Sequence, residues 1–437
     1  MIPEESPQTE KKRNPFRGLL LHIHPVRIPE DTLKFTLTWG LGGMTLLLIV
    51  LQVITGLMLR FIYEPFPGKA YESIIFLQKK IFFGQLIRNI HHWSATLLII
   101  IIFLHMLRVF LTGAFLDKRR FNWIIGLGLL LCVIFSNFTG YLLPWDQLSY
   151  WAITISTSML QYIPGIGLWL QQMVRGGPDV GPSTLINFYN FHTGILPILI
   201  IVLMVFHFWK IRRAGGVILP GNVGKNEVTY VPSMPNLVVR EFVVALVLIA
   251  FVMVLSILFN APLLEKANPD FSPNPAKAAW YFLGIQELLM HFHPFFAVLV
   301  FPILVLITLV LLPYYKFESK NPGTWFLSKK GRKTSIISTA AAVIMTPIAV
   351  LLGEYVIDFE KWLPGFPSFI SNGLLPFLLT IAFFFVYYIY LKKRFTLKNN
   401  EAIQALFIFL VVTFLLLTFT GIWFRGPGMA LYWPWNI

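Results

Sequence analysis

The sequence predicts an all-α membrane protein, a polytopic bundle of about nine transmembrane helices. Three observations carry that expectation. Hydrophobic residues make up 56% of the 437-residue chain and charged residues only 13%, about half the charge that a water-facing surface carries. The apolar residues fall in runs of the length that crosses a hydrocarbon core, about 20 residues for about 30 Å. Lys and Arg collect in alternate connecting segments, as they do when every second loop faces the cytoplasm. The same features exclude a soluble enzyme, a disordered protein and a nucleic-acid binder, despite a net charge of +15.

Nine runs meet the length criterion: about 35–61, 86–111, 123–143, 188–209, 238–259, 294–313, 335–356, 370–391 and 402–423. They are too long and too uniformly apolar for barrel strands, and open strands would leave backbone groups unpaired in lipid. Segments 1–34, 108–122, 210–240, 316–333 and 392–398 hold 25 of the 35 Lys and Arg. That bias predicts a multi-pass membrane protein with a cytoplasmic N-terminus and the C-terminus outside. Met1 to Arg17 has no apolar core, so no cleavable signal peptide is expected. The outer connections 144–187 and 260–293 are long and rich in Gly, Pro and aromatics, which marks them as functional. The single cysteine, Cys132, excludes a disulfide framework and any Cys-rich cluster site.

Five of the nine histidines lie inside spans, where an ionisable residue is a functional candidate. His91 and His105 on the second span are fourteen residues apart, which returns them to nearly one helix face about 21 Å apart. His192 and His207 on the fourth span are fifteen apart, offset by about 60° and roughly 22 Å. Both spans enter from outside, so His91 is level with His192 and His105 with His207. Two facing helices with an imidazole at two depths can clamp two flat macrocycles, and imidazole is a standard axial ligand of haem iron. Packing or interfacial roles remain the alternative for each histidine singly. A zinc or copper site is excluded, because its ligands must converge within a few ångströms.

The glycines repeat the interval: Gly42 and Gly56 on the first span, Gly126 and Gly140 on the third. Glycine admits a bulky group close to the backbone, here the edge of each macrocycle; ordinary small-residue helix packing is the alternative. Arg88 and Arg108 flank the two histidines of the second span, where they offset haem propionates or anchor the helix at the interface.

These residues resemble cytochrome b of the Rieske/cytochrome b quinol oxidoreductases, in its plant and cyanobacterial form. The resemblance rests on R-N-I-H-H-W-S-A and L-H-M-L-R-V-F in the second span, T-G-Y-L-L-P-W-D-Q-L-S-Y-W-A at 139–152 and S-T-L-I-N-F-Y-N-F-H-T at 183–193. It implies a di-haem four-helix domain over 35–213 after a cytoplasmic segment 1–34. N-P-A-K-A-A-W-Y-F-L-G-I-Q-E-L at 274–288 is similar to the family's subunit IV, giving a quinol-site region over 214–315. An additional transmembrane region over 316–437 resembles the fused form of some bacteria.

Carried over residue by residue, the resemblance gives His91 and His192 to an outer haem b and His105 and His207 to an inner one. It places quinol at Pro144, Trp145, Pro164, Gly165, Trp280 and Tyr281. It implies quinol oxidation near the outer face, electron passage across the membrane and coupled proton translocation. The expected partners are a Rieske iron–sulfur protein, c-type cytochrome subunits and a second copy of the complex in a dimer.

Two positions depart from the family. An acidic residue usually stands just before the Trp-Tyr pair, but this chain has Ala278 and Ala279, and Glu287 is the candidate replacement proton acceptor. The cysteine that attaches a third haem in plant-type members is Gly40 here, so two non-covalent b haems and no covalent one are expected. His92 stands beside a ligand and faces lipid or a neighbouring subunit; His291 and His293 are expected at the outer interface, with proton carriage as the alternative, and His22 and His24 in the cytoplasmic segment. Two other readings stay open. One is a quinone-linked module feeding multihaem cytochromes without Rieske-based bifurcation; the other is a non-redox transporter.

Overall fold

The computed structural model describes residues 25–221, 228–317 and 322–436; His22 and His24, with most of the predicted cytoplasmic segment, lie outside them. Among the described residues, nine helices are long and apolar enough to cross a membrane. The expected all-α bundle is therefore the fold, and among the described residues the only sheet is one antiparallel pair, β1 (Arg27–Pro29) with β2 (Tyr230–Pro232), Ile28 opposite Val231.

The first span is shorter than its apolar run. Trp39 and Gly40 both take left-handed backbone angles (φ 53° and 65°), which breaks the chain between Thr38 and α1, Leu41–Arg60. A short helix, α2 (Ala70–Lys80), leads to α3 (Gly84–Leu111) and then α4 (Arg120–Leu142). The first long loop is itself helical, with α5 (Gln147–Ser158) and α6 (Gly167–Arg175). Its P-W-D-Q-L-S motif is a helix start: Asp146 accepts from the Ser149 amide (2.9 Å) while Ser149 Oγ accepts from the Asp146 amide (3.1 Å). The second Asp146 oxygen accepts from the Leu264 amide (3.0 Å), pinning the two outer loops together.

The fourth span begins six residues before the apolar run, at α7 (Pro182–Asn190), because Pro182 at its first position starts a helix readily. A π turn, Phe191–Ile195, joins it to α8 (Leu196–Arg213). The same device recurs at Phe295–Val300 and Phe369–Leu374, where the sixth and eighth spans begin. In all three a proline stands two residues beyond the turn: Pro197, Pro302 and Pro376. Proline lacks the N–H and its ring presses on the carbonyl four residues back, so the turn widens to i→i+5, as when the Leu196 amide bonds to the Phe191 carbonyl.

α3 packs against α1, α4 and α9 (Ser233–Leu258), while α4 packs against α8. Leu48, Ile49, Leu98, Ile102, Leu129 and Ile200 form one apolar cluster among these helices. In the second half, α10 (Leu283–Leu289) precedes the sixth span, which ends in α11 (Phe301–Leu311). Then follow α12 (Lys329–Tyr355), α13 (Leu375–Arg394) and α14 (Asn399–Trp423). α14 packs on α10, α12 and α13. The halves meet where Trp123 Nε1 donates to the Leu309 carbonyl (2.7 Å) and Gln404 Nε2 to the Phe110 carbonyl (3.2 Å).

Candidate functional site

α3 carries His91 and His105 on one unbroken helix. The matching interval on the fourth span is one residue longer, and the π turn that begins beside His192 takes up the extra residue. Fifteen residues then rotate about as fourteen α-helical residues do, so the expected 60° offset between His192 and His207 is cancelled. The imidazole rings meet in two pairs. His91 and His192 have ring centres 6.2 Å apart, and His105 and His207 have theirs 6.4 Å apart.

That spacing has a chemical meaning. Two imidazole–metal bonds of about 2.0 Å, with about 1.1 Å from each ring nitrogen to its ring centre, would place two imidazoles about 6.2 Å apart. Each pair is therefore spaced as two imidazoles that share one metal ion would be. Among the described residues no group of three His, Cys, Asp or Glu side chains converges.

The outer pair is held in the tautomer that ligation requires. Nδ1 of His192 lies 2.9 Å from the Ser136 carbonyl, which only accepts, so Nδ1 carries the proton and Nε2 keeps its lone pair. Nδ1 of His91 lies 2.9 Å from Thr55 Oγ1, whose own hydrogen goes to the Leu51 carbonyl (2.6 Å). Thr55 therefore accepts from the imidazole, with the same result. Such outer partners orient ligating histidines. The inner pair lacks this support on one side: Nδ1 of His207 faces the Asn122 carbonyl without reaching hydrogen-bond geometry.

Each of the four glycines faces one of the four imidazoles. A Cβ on Gly42 would lie 3.3 Å from His105, on Gly56 3.4 Å from His91, on Gly126 3.5 Å from His207 and on Gly140 2.5 Å from His192. The glycines thus make room for the imidazole rings. The outer two share a Thr-Gly pattern, Thr55-Gly56 and Thr139-Gly140, and Thr139 Oγ1 also approaches His192 Nδ1 (3.4 Å). That repeat was the available signal for the supporting hydroxyls.

The two arginines differ. Arg88 gives Nη1 and Nη2 to the Ala261 and Pro262 carbonyls (2.8 and 2.6 Å) and so holds the second long loop. Arg108 donates from Nε to the Leu37 carbonyl (2.7 Å) and leaves Nη2 buried without a partner, a donor free for an anion. His92 packs edge-on against Trp93 (5.0 Å).

At the outer face, Trp145 is buried against Tyr150 (5.5 Å), next to Pro144. Trp280 and Tyr281 pack on the cluster between α1, α3 and α4, with the Tyr281 hydroxyl buried and unpartnered. The Phe282 ring meets Phe138 of α4 (5.6 Å). Pro164 and Gly165 form an exposed turn, and Tyr162 just before it meets His293 (5.6 Å).

Glu287, the candidate proton acceptor, lies on α10. It is fully buried, and both its oxygens are bonded to Arg425 (3.0 and 2.6 Å). Burial alone would raise its carboxyl pKa, but the nearby His291 ring and the bonds from Arg425 outweigh burial and hold it below the ordinary 4.5. A carboxylate so held is a poor resting proton acceptor.

A membrane-spanning helix bundle with buried imidazoles facing in pairs at two depths belongs to the class of transmembrane haem-binding proteins. Comparison with known proteins narrows this. Residues 30–215 match the family profile "Cytochrome b/b6/petB". Cytochrome b6 of Chlamydomonas reinhardtii is 41% identical over 175 residues, which are 40% of this chain and 81% of that protein. Cytochrome b6 of Heliomicrobium gestii is 44% identical over 192 residues, 44% of this chain and 88% of that one. A solved structure, "Hyperthermophilic respiratory Complex III", shares the fold over 94% of this chain and 97% of its own (TM-score 0.66, 22% identity). The chain belongs to the cytochrome b/b6 family: it is a multi-pass membrane protein of haem-mediated electron transfer, its first half cytochrome b-like and its second half additional helices.

Proposed function

We propose that the chain is the di-haem cytochrome b subunit of a membrane quinol:cytochrome c-type oxidoreductase. The observation that carries this is the pair of imidazole separations, 6.2 and 6.4 Å, each the span of one axially ligated iron. His91 and His192 would hold a haem toward the outer face, His105 and His207 one toward the cytoplasm. When bound, these groups supply one-electron carriers at two depths. The chain's own residues do the rest. Thr55 and Ser136 keep the outer imidazoles in the ligating tautomer, the glycines admit them, and the apolar cluster around Leu98 and Leu129 keeps water out between the levels.

Quinol would dock at the outer face among Pro144, Trp145, Pro164, Gly165, Trp280 and Tyr281. One electron leaves to a Rieske iron–sulfur protein and on to a c-type cytochrome; the other crosses the membrane to reduce quinone near the cytoplasmic face. Protons leave outside and enter inside. The Lys and Arg distribution supports a cytoplasmic N-terminus in the cell membrane, and Gly40 in place of a cysteine supports haem that is bound without a covalent link. A dimeric complex is the expected assembly. Redox titration of the purified complex tests this reading: two b-type transitions are expected, with His192→Ala removing one and His105→Ala the other. A preparation without b-type absorption, or variants that keep both transitions, would sink it.

Ala278 and Ala279, and the commitment of Glu287 to Arg425, favour one second reading: a quinone-linked di-haem module that feeds multihaem cytochromes without bifurcation. The subunits that co-purify decide between them. The transporter reading has no observation in its favour.

A further inference from the structure

Away from the paired imidazoles, a compact buried set of charged groups lies where the outer ends of α10, α12 and α14 meet. Arg425, just beyond α14, donates from Nε and Nη2 to the two oxygens of Glu287 on α10. Its Nη1 reaches Glu354 at the end of α12 (2.9 Å) and the Met429 carbonyl (2.7 Å). The Arg425 and Glu287 side chains are fully buried, and Glu354 is 22% exposed. One helical turn after Glu287, His291 places Nε2 3.5 Å from Glu287 Oε1. That is beyond a good hydrogen bond, and neither ring nitrogen has another partner. Gly353 makes the space for the ring, since a Cβ there would lie 2.7 Å from Nδ1.

One guanidinium stands against two carboxylates, so the set carries one negative charge that nothing in it cancels. A buried uncompensated charge is costly. Glu287, on the same stretch of chain, is the charged group beside His291, and Arg425 ties it to Glu354 of α12; a proton on the His291 ring would neutralise the whole set. α10 follows directly on the Trp280–Phe282 turn. Gln286 on α10 brackets the preceding segment, donating to the Ala276 carbonyl (2.8 Å) and accepting from the Ala278 amide (2.7 Å). The position of the missing acidic residue is therefore tied to the helix that carries Glu287.

We propose that His291, backed by Glu287, Arg425 and Glu354, is a one-proton site that takes up a proton released by quinol at the outer face. It rests on the quinol-oxidising reading above. The quinol O–H bond breaks as an N–H bond forms on His291; the O–H electron pair stays on the quinol oxygen, and the electrons leave singly to the Rieske protein and the outer haem. The proton then passes through Glu354, the most exposed member, to outer water. His291 is the acceptor and Glu287 a positioning residue.

The test is the pH profile of quinol-driven haem reduction in the purified complex. His291→Gln is expected to keep both b-type transitions but to lose roughly 100-fold in rate at neutral pH. It should also lose the wild-type rise in rate with pH. Glu354→Gln removes a negative charge that favours the imidazolium, so that rise should move to lower pH. Wild-type rate and profile in His291→Gln, the outcome for a merely structural pin, overturn the proposal. If His291→Gln does not assemble, an unmoved profile in Glu354→Gln overturns it. If the wild-type haems reduce with dithionite but never with quinol, the functional reading has failed and infrared difference spectra across a step from about pH 5 to 8 decide the proton site. Imidazole and carboxylate bands that vanish in His291→Gln support it; identical spectra overturn it.

Discussion

The two halves of this molecule bury polar groups in opposite ways. In the first half the buried groups at the two levels are imidazoles backed by a hydroxyl and backbone carbonyls, and no counter-charge is needed. They sit on two spans at matched depths, spaced for a metal between them. In the second half the buried groups are a guanidinium and two carboxylates. Full charges in an apolar setting must arrive as a closed set, and this one lies at the outer ends of its helices, not at mid-span. The comparison teaches that neutral ligands can be placed wherever helix period puts them, whereas ions go where their partners can be gathered.

The comparison predicts separable lesions, and the largest should come from Arg425. Arg425→Met leaves Glu287 and Glu354 buried without their cation, a loss of about 3–5 kcal/mol for breaking such a set. Thermal unfolding of the purified complex should shift accordingly, while the two b-type transitions survive below the new midpoint. Loss of haem at temperatures where the variant remains folded would show the halves to be coupled more tightly than their packing implies. The pH dependence has a definite sign. Glu287 is held below 4.5 in the folded chain, so its contribution is complete above the unfolded value and disappears as pH falls through the lowered one. Stability of the second half should stay level from neutral pH to about 4.5 and fall only below it; a fall that begins near pH 6 would contradict the pairing.

The same contrast explains what was legible in the sequence. Nine spans were legible because length and apolarity are local properties, and the histidine levels because period along a helix is arithmetic. The π turn beside His192 was not, although Pro197 forces it, because a proline two residues past a turn also fits an ordinary helix start. The partners of Arg88 were not legible either, because the Ala261 and Pro262 carbonyls are supplied by backbone, which leaves no mark in side-chain chemistry. The Arg425 set was illegible for a different reason. Arg425 lies 138 residues from Glu287 and 71 from Glu354, and no period relates charges on three separate elements.

Damage confined to the first half should spare folding and strike the pigment, in an order set by the glycine clearances. Gly140→Ala puts a methyl 2.5 Å from the His192 ring, where something must move, whereas Gly126→Ala meets His207 at an ordinary 3.5 Å. Overpacking of this kind costs about 1–3 kcal/mol. Gly140→Ala should therefore weaken retention of the outer haem during purification, and Gly126→Ala should leave the inner one at wild-type occupancy. Gly43→Ala, with nothing near its added methyl, is the matching control. Equal losses in Gly140→Ala and Gly126→Ala would mean that helix packing, not room for the ligand, explains the interval of fourteen.

The smallest effect sharpens the asymmetry between the two levels. Thr55→Val keeps the shape of the side chain but removes the acceptor for the His91 Nδ1 proton, which has no other partner among the described bonds. An orphaned buried donor costs about 1–3 kcal/mol, and support of this kind makes an imidazole a stronger electron donor to its metal. The outer transition should therefore move to higher potential, because the ferric state loses more than the ferrous when its ligand donates less. The inner transition should stay in place, since His105 and His207 make no bond to Thr55. A shift of both transitions, or of the inner one alone, would reverse the assignment of Thr55 and His91 to the outer level.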